Sequence, residues 1–360
     1  MVKSQRKPAK HAAVKPDTNK VATLRSALLQ WYATNQRALP WRRNQDPYSI
    51  WVSEIMLQQT RVAVVIERHK AFLERFPNLL ALAQAPEEEV LALWSGLGYY
   101  RRARMLHKAA QFVAHQLGGS LPVTAEALRA LPGIGAYTSA AIASIAHGEP
   151  VAVVDGNVER VLCRLSGWDE GSRKGGGSTV RRKVEHLAAE LVDPQRPGDF
   201  NQAMMELGAI LCTPRNPLCP ECPLNSGCVT LGEHKTEPRP RMVSKEVAHG
   251  LCIRSGSGPD RSSGEVLLEQ RAAALTVMPG LWELPMLLDP VVPEGDLRMT
   301  VRHAIMQVNY YVRVRTLLEG EIEALSGPGG HRRWVPLAEA AGMALTGLAR
   351  KVLTRARLIG

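Results

Sequence analysis

The sequence has no run of about 20 uninterrupted apolar residues, which is the length that a membrane-spanning helix needs. Its first residues also lack the apolar core of a secretory signal peptide. We therefore expect an intracellular, cytoplasmic protein with no membrane partner. Cysteines stay reduced in that compartment, so a tight cluster of them indicates a metal site before it indicates disulfide bonds.

Acidic residues are in the minority, with 34 Asp and Glu against 45 Lys and Arg and a formal charge of +11. A basic balance favours a polyanionic partner, and nucleic acid is the leading candidate. The alternative is that a basic tail inflates the total, because residues 1–20 hold six Lys and Arg against Asp17 alone. The rest of the chain is still near +6, so nucleic acid remains the prediction.

Internal repeats are absent too, and a chain of 360 residues that is 45% hydrophobic predicts two domains. Residues 1–20 are polar and basic, which predicts a disordered tail. Residues 21–231 have apolar positions at helical spacing, and residues 232–247 have the composition of a linker. Residues 248–360 contain alternating segments typical of strands. The predicted fold class is a mostly α N-terminal region followed by a smaller α+β domain.

A helix-hairpin-helix pattern is present at Leu131-Pro-Gly133-Ile-Gly135, between two predicted helices. Its glycines let the backbone turn tightly and approach a phosphate, while the free amides of the second helix point at that anion. The alternative is a plain tight turn without a ligand.

Two carboxylates stand in unusual sequence contexts. Glu54 lies in a predicted helix that is apolar on nearly every side, and desolvation favours the protonated form of a carboxyl group, as a general acid requires. The alternative is a Glu that reaches solvent or pairs with an Arg. Asp155, in Val153-Val-Asp-Gly-Asn157, is predicted to begin a helix. It is either a simple N-cap or a carboxylate facing a site where positive charge develops.

The segment from Trp94 to Arg104 combines a glycine-rich turn, two tyrosines and three arginines. Such a loop can insert a side chain into a base stack while its cations hold phosphates. A surface loop with buried tyrosines is the competing interpretation.

Four of the six cysteines lie within seventeen residues, in the pattern C-x6-C-x2-C-x5-C. Four thiolates suit tetrahedral zinc or an iron–sulfur cluster, and zinc ribbons usually have two C-x2-C pairs where this sequence has one. The spacing by itself leaves both metals open. The candidate ligands are Cys212, Cys219, Cys222 and Cys228.

Together, the hairpin, the Asp155 segment and the four-cysteine loop resemble the helix-hairpin-helix DNA glycosylases, the family that includes endonuclease III. That family carries this cysteine pattern on a 4Fe-4S cluster, so the resemblance implies the same cofactor for residues 212–228. Further motifs resemble the adenine-excising branch of the family, over about residues 22–230: Leu39-Pro-Trp-Arg42, Val52–Arg61, Gly96–Tyr100 and Asn201–Gly208.

The resemblance implies a monomeric enzyme, acting on the nucleoid, that flips adenine out of double-stranded DNA where it is mispaired with 8-oxoguanine or guanine. Glu54 would protonate the adenine and later activate water, and Asp155 would stabilise the sugar cation. Tyr137 and Asn157 match the supporting partners. Relatives that also cut the backbone carry a lysine at the position of Tyr137, because a Schiff base needs an amine. The implied enzyme is therefore monofunctional.

The resemblance also implies which residues contact DNA. Two of them would line the base pocket, two would fill or probe the base stack, and the two hairpin glycines would approach the backbone. In that order they are Arg42 and Glu206, Gln59 and Tyr99, Gly133 and Gly135.

The C-terminal domain resembles the nudix-like module of the family, most clearly at Gly280-Leu-Trp-Glu-Leu-Pro285. It lacks the Arg-Glu-x-x-Glu-Glu box that holds magnesium in nudix hydrolases, so it should bind and not cleave. The family usually shows Phe-Ser-His after an Arg-His pair, for recognition of 8-oxoguanine. Here Ile305-Met-Gln307 stands in that place, so either Gln307 supplies the hydrogen bond or discrimination for the oxidised base is weakened.

Overall fold

The computed structural model describes residues 18–169, 177–234, 241–255, 264–325 and 331–360. Most of the predicted tail, residues 1–17, and residues 235–240 of the predicted linker lie outside these ranges. The chain forms two compact units. The first comprises Met1–Ala38, Val123–Ala125 and Ser139–Glu237, and the second comprises Leu39–Pro122, Glu126–Thr138 and Pro238–Gly360.

The part of the chain before the linker is helical where the structure describes it, as the apolar spacing predicts. None of the helices in the described residues is long and apolar enough to cross a membrane. The helices are α1 Thr18–Asn35, α2 Pro47–Leu57, α3 Val62–Arg75, α4 Leu79–Gln84, α5 Glu87–Leu93, α6 Arg101–Gln116, α7 Ala125–Arg129, α8 Ala136–His147, α9 Gly156–Ser166, α10 Gly177–Leu191 and α11 Pro197–Ile210.

Local sequence explains where the two site-bearing helices begin. The Asp46 carboxylate accepts from the amides of Tyr48 and Ser49, and Pro47 occupies the first turn of α2, where its missing N–H costs nothing. Asp155 caps α9 in the same way. The α9 helix ends at Gly167, whose φ of 68° is the left-handed conformation that glycine adopts most easily.

The core of the first unit lies where α1, α9, α10 and α11 pack together. Each helix contributes apolar side chains that are almost fully buried, and Cys212, Cys222 and Cys228 pack at the edge of this cluster. Representative members are Leu28, Leu162, Val184 and Leu207. The four-cysteine loop thus rests on a preformed helical base.

The C-terminal part forms a seven-stranded mixed sheet with the strand order β3-β2-β1-β6-β5, where β4 pairs with β1 and β7 pairs with β2. β1 and β6 are parallel, and the other pairs are antiparallel. Helices α12 Leu337–Ala340 and α13 Gly347–Arg355 follow the sheet. The strands are β1 Val243–Arg254, β2 Glu265–Gln270, β3 Trp282–Glu283, β4 Met286–Leu287, β5 Leu297–Ile305, β6 Val308–Leu317 and β7 Arg332–Pro336.

One face of this sheet packs against α13. Val301, Val312 and Val335 on the strands are fully buried against Leu348 and Val352 of the helix. The alternating pattern read from the sequence gives this one-sided burial, because side chains of a strand point to opposite faces in turn.

Strand β1 begins at Val243, five residues before the predicted start of the strand region at residue 248. Val243 pairs with Val308, and its N–H donates to the carbonyl of Gln307 at 2.9 Å. The first four residues of β1 are exposed, so they show none of the apolar alternation that reveals a strand. The predicted domain boundaries remain predictions.

Candidate active site

Glu54 lies in the last turns of α2 with only 5% of its surface exposed. Its neighbours Ile50 and Ile55 are also buried. The phenol of Tyr137, in the first turn of α8, donates a hydrogen bond to Glu54 Oε2 at 2.5 Å. The carboxyl group is therefore dry and held by a short hydrogen bond, and the alternative of a Glu that reaches solvent is excluded.

A second side-chain contact joins the same two helices. Gln58 Nε2 donates to the hydroxyl of Thr138 at 3.3 Å. Thr138 follows Tyr137 directly, so the end of α2 is attached to the start of α8 at two adjacent positions. The orientation of Glu54 is thereby fixed by packing and hydrogen bonding together.

Asp155 is held by three donors at the start of α9. Its Oδ1 accepts from the amides of Asn157 at 2.9 Å and Val158 at 2.7 Å. Its Oδ2 accepts from Asn157 Nδ2 at 2.9 Å. Donors of this kind, at the positive end of a helix, stabilise an ionised carboxylate. Asp155 is therefore the N-cap that the sequence indicated. The same three hydrogen bonds fix its carboxylate in place, as a site residue requires.

A hydrogen-bond chain leads from Asp155 to the cysteine loop. Asn157 Oδ1 accepts from Arg160 Nη2 at 2.9 Å, and Arg160 Nε donates to the carbonyl of Cys212 at 2.8 Å. Arg160 Nη2 also donates to the carbonyl of Gly208 at 2.7 Å. A Cβ at Gly208 would lie 2.7 Å from Asn157 Cβ, so only glycine allows this approach of α11 to α9. Sequence reasoning missed Arg160.

The four cysteines line one cavity of about 30 Å³ in the first unit. Among the described residues, no group of three or more His, Cys, Asp or Glu side chains is placed to hold a single metal ion. A cavity lined by four cysteines offers the four thiolate ligands that an iron–sulfur cluster or a zinc ion takes. Burial raises the pKa of Cys222 to about 11, so coordination to iron would be needed to keep it as a thiolate.

Arg164 supports the same loop and is 2% exposed. It donates to Cys212 Sγ at 3.5 Å and to the carbonyls of Thr213 at 2.7 Å and Pro214 at 3.0 Å. The Cys228 thiol donates to the carbonyl of Arg164 at 3.4 Å. A buried guanidinium beside the ligands offsets the negative charge of four thiolates, so the residues present fit an iron–sulfur cluster.

Gln59 and Tyr99, the two predicted probes of the base stack, share an unusual backbone. Gln59 has φ 58° and Tyr99 has φ 49°. Both side chains are exposed, Tyr99 by 48%. Tyr100 is 4% exposed, so the loop has one tyrosine facing solvent and one in the core. Insertion of Tyr99 into a base stack stays a prediction.

Arg102 joins the turns that carry these two residues. Its guanidinium donates to the carbonyls of Ile55 at 2.6 Å and Met56 at 3.0 Å, at the end of α2. It also donates to the carbonyls of Leu97 at 3.0 Å and Gly98 at 3.1 Å. Burial lowers the pKa of Arg102 to about 10. Sequence reasoning counted this arginine among the phosphate-binding cations, whereas the structure has it inside the fold.

The hairpin glycines differ in their surroundings. Gly133 has φ 75°, and a Cβ there would lie 2.5 Å from Met105 Cβ. Gly135 directly precedes α8, and a Cβ there would meet nothing within 4 Å. Gly133 therefore makes the turn, while Gly135 leaves open space at the start of α8.

Glu206 is 1% exposed and is bound by Arg37 in a bidentate pair. Arg37 Nε donates to Oε1 at 2.6 Å and Arg37 Nη2 donates to Oε2 at 2.8 Å. The pKa of Arg37 is raised, first by this hydrogen bond. Arg42, the other predicted pocket residue, ends the short 3-10 helix Pro40–Arg42 and is partly buried. Sequence reasoning missed Arg37.

Gln307 lies in the two-residue turn between β5 and β6 and is exposed. The neighbouring Met306 has φ 54° and is 73% exposed. The structure therefore leaves both side chains of this turn accessible.

The predicted site residues form two groups in the structure. Glu54 and Tyr137 meet in the second unit, and Asp155 and Asn157 lie in the first unit with the cysteine loop. Residues 52–190 match the model of the HhH-GPD superfamily of base excision DNA repair proteins, and residues 212–228 match the iron-sulfur binding domain of endonuclease III. The solved structure of a thermostable thymine-DNA glycosylase is 30% identical, with a TM-score of 0.53, over 59% of this chain and 97% of that one.

The chain belongs to the HhH-GPD superfamily. Its iron–sulfur loop is confirmed by the match of residues 212–228, which decides against zinc. The chain is 50% identical over 223 residues to the adenine DNA glycosylase of Homo sapiens, across 59% of this chain and 40% of that protein. It is 45% identical over 300 residues to the adenine DNA glycosylase of Mus musculus, across 76% and 57%. The chain thus spans about half the length of these relatives.

Proposed function

We propose that this HhH-GPD protein is a monofunctional DNA glycosylase that removes adenine mispaired with 8-oxoguanine or guanine in double-stranded DNA. The observation that carries the proposal is the dry Glu54 carboxyl group with its 2.5 Å hydrogen bond from Tyr137. An N-glycosidic bond breaks when the leaving base takes up a proton and the sugar cation is stabilised. The name of the relatives at 45–50% identity points to adenine.

Glu54 is the proton donor in this proposal. Burial disfavours its anionic form, and the Tyr137 phenol fixes the direction in which the carboxyl group faces the base. After the base leaves, the same group takes a proton from the attacking water. General acid or base catalysis of this kind contributes about 10²- to 10⁴-fold to a rate.

Asp155 stabilises the positive charge that develops on the sugar. Its three hydrogen-bond donors hold the carboxylate in one position. A fixed negative group needs no reorganisation when the cation forms, which is how preorganised electrostatics lowers a barrier. Asn157 supports this group through its side-chain amide.

DNA binding is assigned to the hairpin turn at Gly133 and Gly135, directly before α8, and to the exposed Gln59 and Tyr99. Arg42 and Glu206 are assigned to the base pocket. Arg37 holds both Glu206 oxygens in a bidentate pair, which fixes the orientation of this carboxylate. Cys212, Cys219, Cys222 and Cys228 would hold the iron–sulfur cluster, 4Fe-4S by family resemblance, and the bound cluster would fix the 212–228 loop.

The second candidate is a sister enzyme with another base specificity, since the thermostable structure at 30% identity is titled a thymine-DNA glycosylase. Single-turnover excision decides between them. The duplexes place adenine opposite 8-oxoguanine, guanine or thymine, and thymine opposite guanine. We expect adenine release with preference for the first duplex. Release of thymine alone would refute the proposal, and equal rates on the three adenine duplexes would refute the proposed preference for 8-oxoguanine and guanine.

The roles of the two acids are tested in the same assay with Glu54→Gln and Asp155→Asn. Both variants keep the size of the side chain, so we expect folded protein with excision lowered by at least about 10²-fold. Glu67→Gln, at an exposed position of α3, is the matched control and should retain the wild-type rate. Retention of full activity in either test variant would exclude its role.

Absence of lyase chemistry is tested by borohydride trapping on abasic-site DNA. Tyr137 offers no amine for a Schiff base, so we expect no trapped adduct from the wild type above background. Tyr137→Lys supplies the amine at this position, and its adduct would show that the assay works. A strong wild-type adduct would contradict the monofunctional assignment.

A further inference from the structure

The Tyr99 loop, residues 95–100, is attached at both ends to the C-terminal part of the chain. Tyr100 Oη donates to the carbonyl of Leu345 at 3.0 Å, and Arg350 Nε donates to the hydroxyl of Ser95 at 2.7 Å. Ser95 and Tyr100 are buried, with 0% and 4% of their surface exposed. The exposed Tyr99 lies between these two anchors, and all these residues belong to the second compact unit.

The backbone of this loop explains why it needs anchors. Gly96, Gly98 and Tyr99 all have positive φ, of 93°, 70° and 49°. A tyrosine in the left-handed region is unfavourable by itself, so contacts of the surrounding structure must hold it there. Gly96 and Gly98 make the backbone of the loop more flexible and do not restrain Tyr99.

The anchors come from a well-fixed segment of the C-terminal domain, residues 341–350. The Arg350 guanidinium also donates to the carbonyls of Ala341 at 3.1 Å and Met343 at 3.2 Å. Trp282 on β3 accepts from the amide of Thr346 at 2.8 Å and donates its own amide to Ala344 at 2.9 Å. Segment 341–350 is thus fixed to the sheet, and it carries the Leu345 carbonyl and Arg350 Nε, the two groups that hold the loop.

The helices on either side of the loop contact the same domain. Trp282 Nε1 donates to Glu88 Oε1 on α5 at 3.2 Å. Arg104 Nη2, on α6, donates to the carbonyl of Pro279 at 2.6 Å. These contacts lie in and next to the Gly280–Pro285 motif, which no other part of the proposed mechanism uses.

We propose that Tyr100 and Arg350 are positioning residues of the excision reaction, through which the C-terminal domain holds Tyr99 in the orientation that enters the base stack. The proposal rests on the proposed function. Tyr100 and Arg350 themselves touch neither base nor sugar. They act by keeping Tyr99 ready, so that less ordering remains to be done when DNA binds.

The variants for the test are Tyr100→Phe, which removes one hydroxyl, and Arg350→Met, which removes the guanidinium and keeps an apolar stem. Arg355→Met, at the exposed end of the same helix α13, is the matched control. Single-turnover excision of adenine opposite 8-oxoguanine should fall about 3- to 10-fold in Tyr100→Phe, as expected for loss of one buried hydrogen bond. The loss in Arg350→Met should be at least as large, because its bonds to Ala341 and Met343 are removed as well. The Arg355→Met rate should match the wild type.

Two readouts separate positioning from general stability. In a Tyr99→Ala background, Tyr100→Phe should cause no further loss of excision, because the residue that it positions is gone. Amide hydrogen exchange of residues 96–99 in the DNA-free protein should speed up in Tyr100→Phe and Arg350→Met, while exchange in α2 stays unchanged.

These outcomes distinguish the two proposals. Faster exchange in a protein whose wild type releases no adenine supports the anchoring and overturns the proposed function. An active wild type with unchanged rates and unchanged exchange in both variants overturns the anchoring. An equal loss with and without Tyr99 overturns it as well, since the effect then bypasses Tyr99.

Discussion

A single phenol oxygen holds the buried carboxyl group of the site. Tyr137→Phe removes the 2.5 Å hydrogen bond to Glu54 while keeping the ring. A hydrogen bond between neutral groups is worth about 0.5–1.5 kcal/mol, so we expect single-turnover excision to fall about 2- to 10-fold. Thermal unfolding of the variant shows whether the fold is kept. A rate equal to that of the wild type would show that Glu54 is oriented by packing alone.

The buried His69 makes stability depend on pH. Burial lowers the pKa of His69 despite the raising influence of Ser49 and Asp46. Its unfolded pKa is ordinary, about 6.5, so below that pH the unfolded chain binds a proton that the folded chain does not. This contribution is complete above pH 6.5 and decreases as the pH falls.

We expect the free energy of unfolding to drop by up to about 1.4 kcal/mol per pH unit below 6.5 because of His69. Urea unfolding at pH 7.5, 6.5 and 5.5, compared between wild type and His69→Gln, isolates this residue from the other histidines. Parallel pH curves for the two proteins would show that His69 does not carry the effect.

Arg164 joins the cysteine loop to α9. Arg164→Met leaves the carbonyls of Thr213 and Pro214 without their donor and removes the cation beside Cys212. We expect iron per protein chain to decrease and the melting temperature to fall by several degrees. Arg215→Met, exposed in the same loop, is the control. Full iron content in Arg164→Met would contradict this role.

Single residues were predicted unevenly from the sequence. Neighbouring letters reveal the apolar setting of Glu54 and the helix start at Asp155. The sequence did not reveal the roles of Arg37, Arg160 and Arg164. Each of these arginines has a hydrogen-bond partner at least 48 positions away in the chain. Most of those partners are backbone carbonyls, which every residue carries, so no spacing in the sequence encodes them.

At the scale of the elements, the helix hairpin offers a matched pair of substitutions. Gly133→Ala forces a Cβ into Met105 at a positive φ, so we expect a loss of about 1–3 kcal/mol in stability. Gly135→Ala meets open space and should stay within about 0.5 kcal/mol of the wild type. Its duplex affinity should nevertheless fall, because the methyl group occupies the space assigned to a phosphate.

Urea unfolding and duplex titrations of both variants check this contrast. Unchanged duplex affinity in Gly135→Ala would show that no DNA phosphate lies against Gly135. Loss of stability in Gly135→Ala would mean that the glycine serves the fold and not the ligand.

The elements themselves were largely predictable where one face is apolar. The helices before the linker follow from their period of three to four, and strand β6 follows from its period of two. The start of β1 could not be predicted, because Val243 and the next three residues are exposed. Pairing with β6 holds them in the strand. Parallel partners 65 positions apart, such as Val243 and Val308, leave no local trace in sequence.

At the scale of the whole molecule, charge predicts how DNA binding responds to salt. Deletion of residues 1–17 removes five of the six basic residues of the predicted tail. We expect weaker nonspecific duplex binding and a shallower dependence of log K on log salt, by about 0.9 for each phosphate that the tail neutralises. The single-turnover rate at saturating enzyme should not change. An unchanged salt slope would show that the tail does not touch DNA.

Chain order has a consequence for synthesis of the first unit. Helix α1 packs with α10 and α11, and Arg25 donates to the carbonyls of Glu190 at 2.7 Å and Leu191 at 2.9 Å. At about 5–20 residues per second, a ribosome makes those partners roughly 8–30 s after α1. During that time the apolar face of α1, with Leu28, Leu29 and Tyr32, is exposed to solvent. The nascent chain therefore has an exposed, aggregation-prone helix early in synthesis. We therefore expect chaperones to bind this segment until α10 and α11 have been synthesised and cover it.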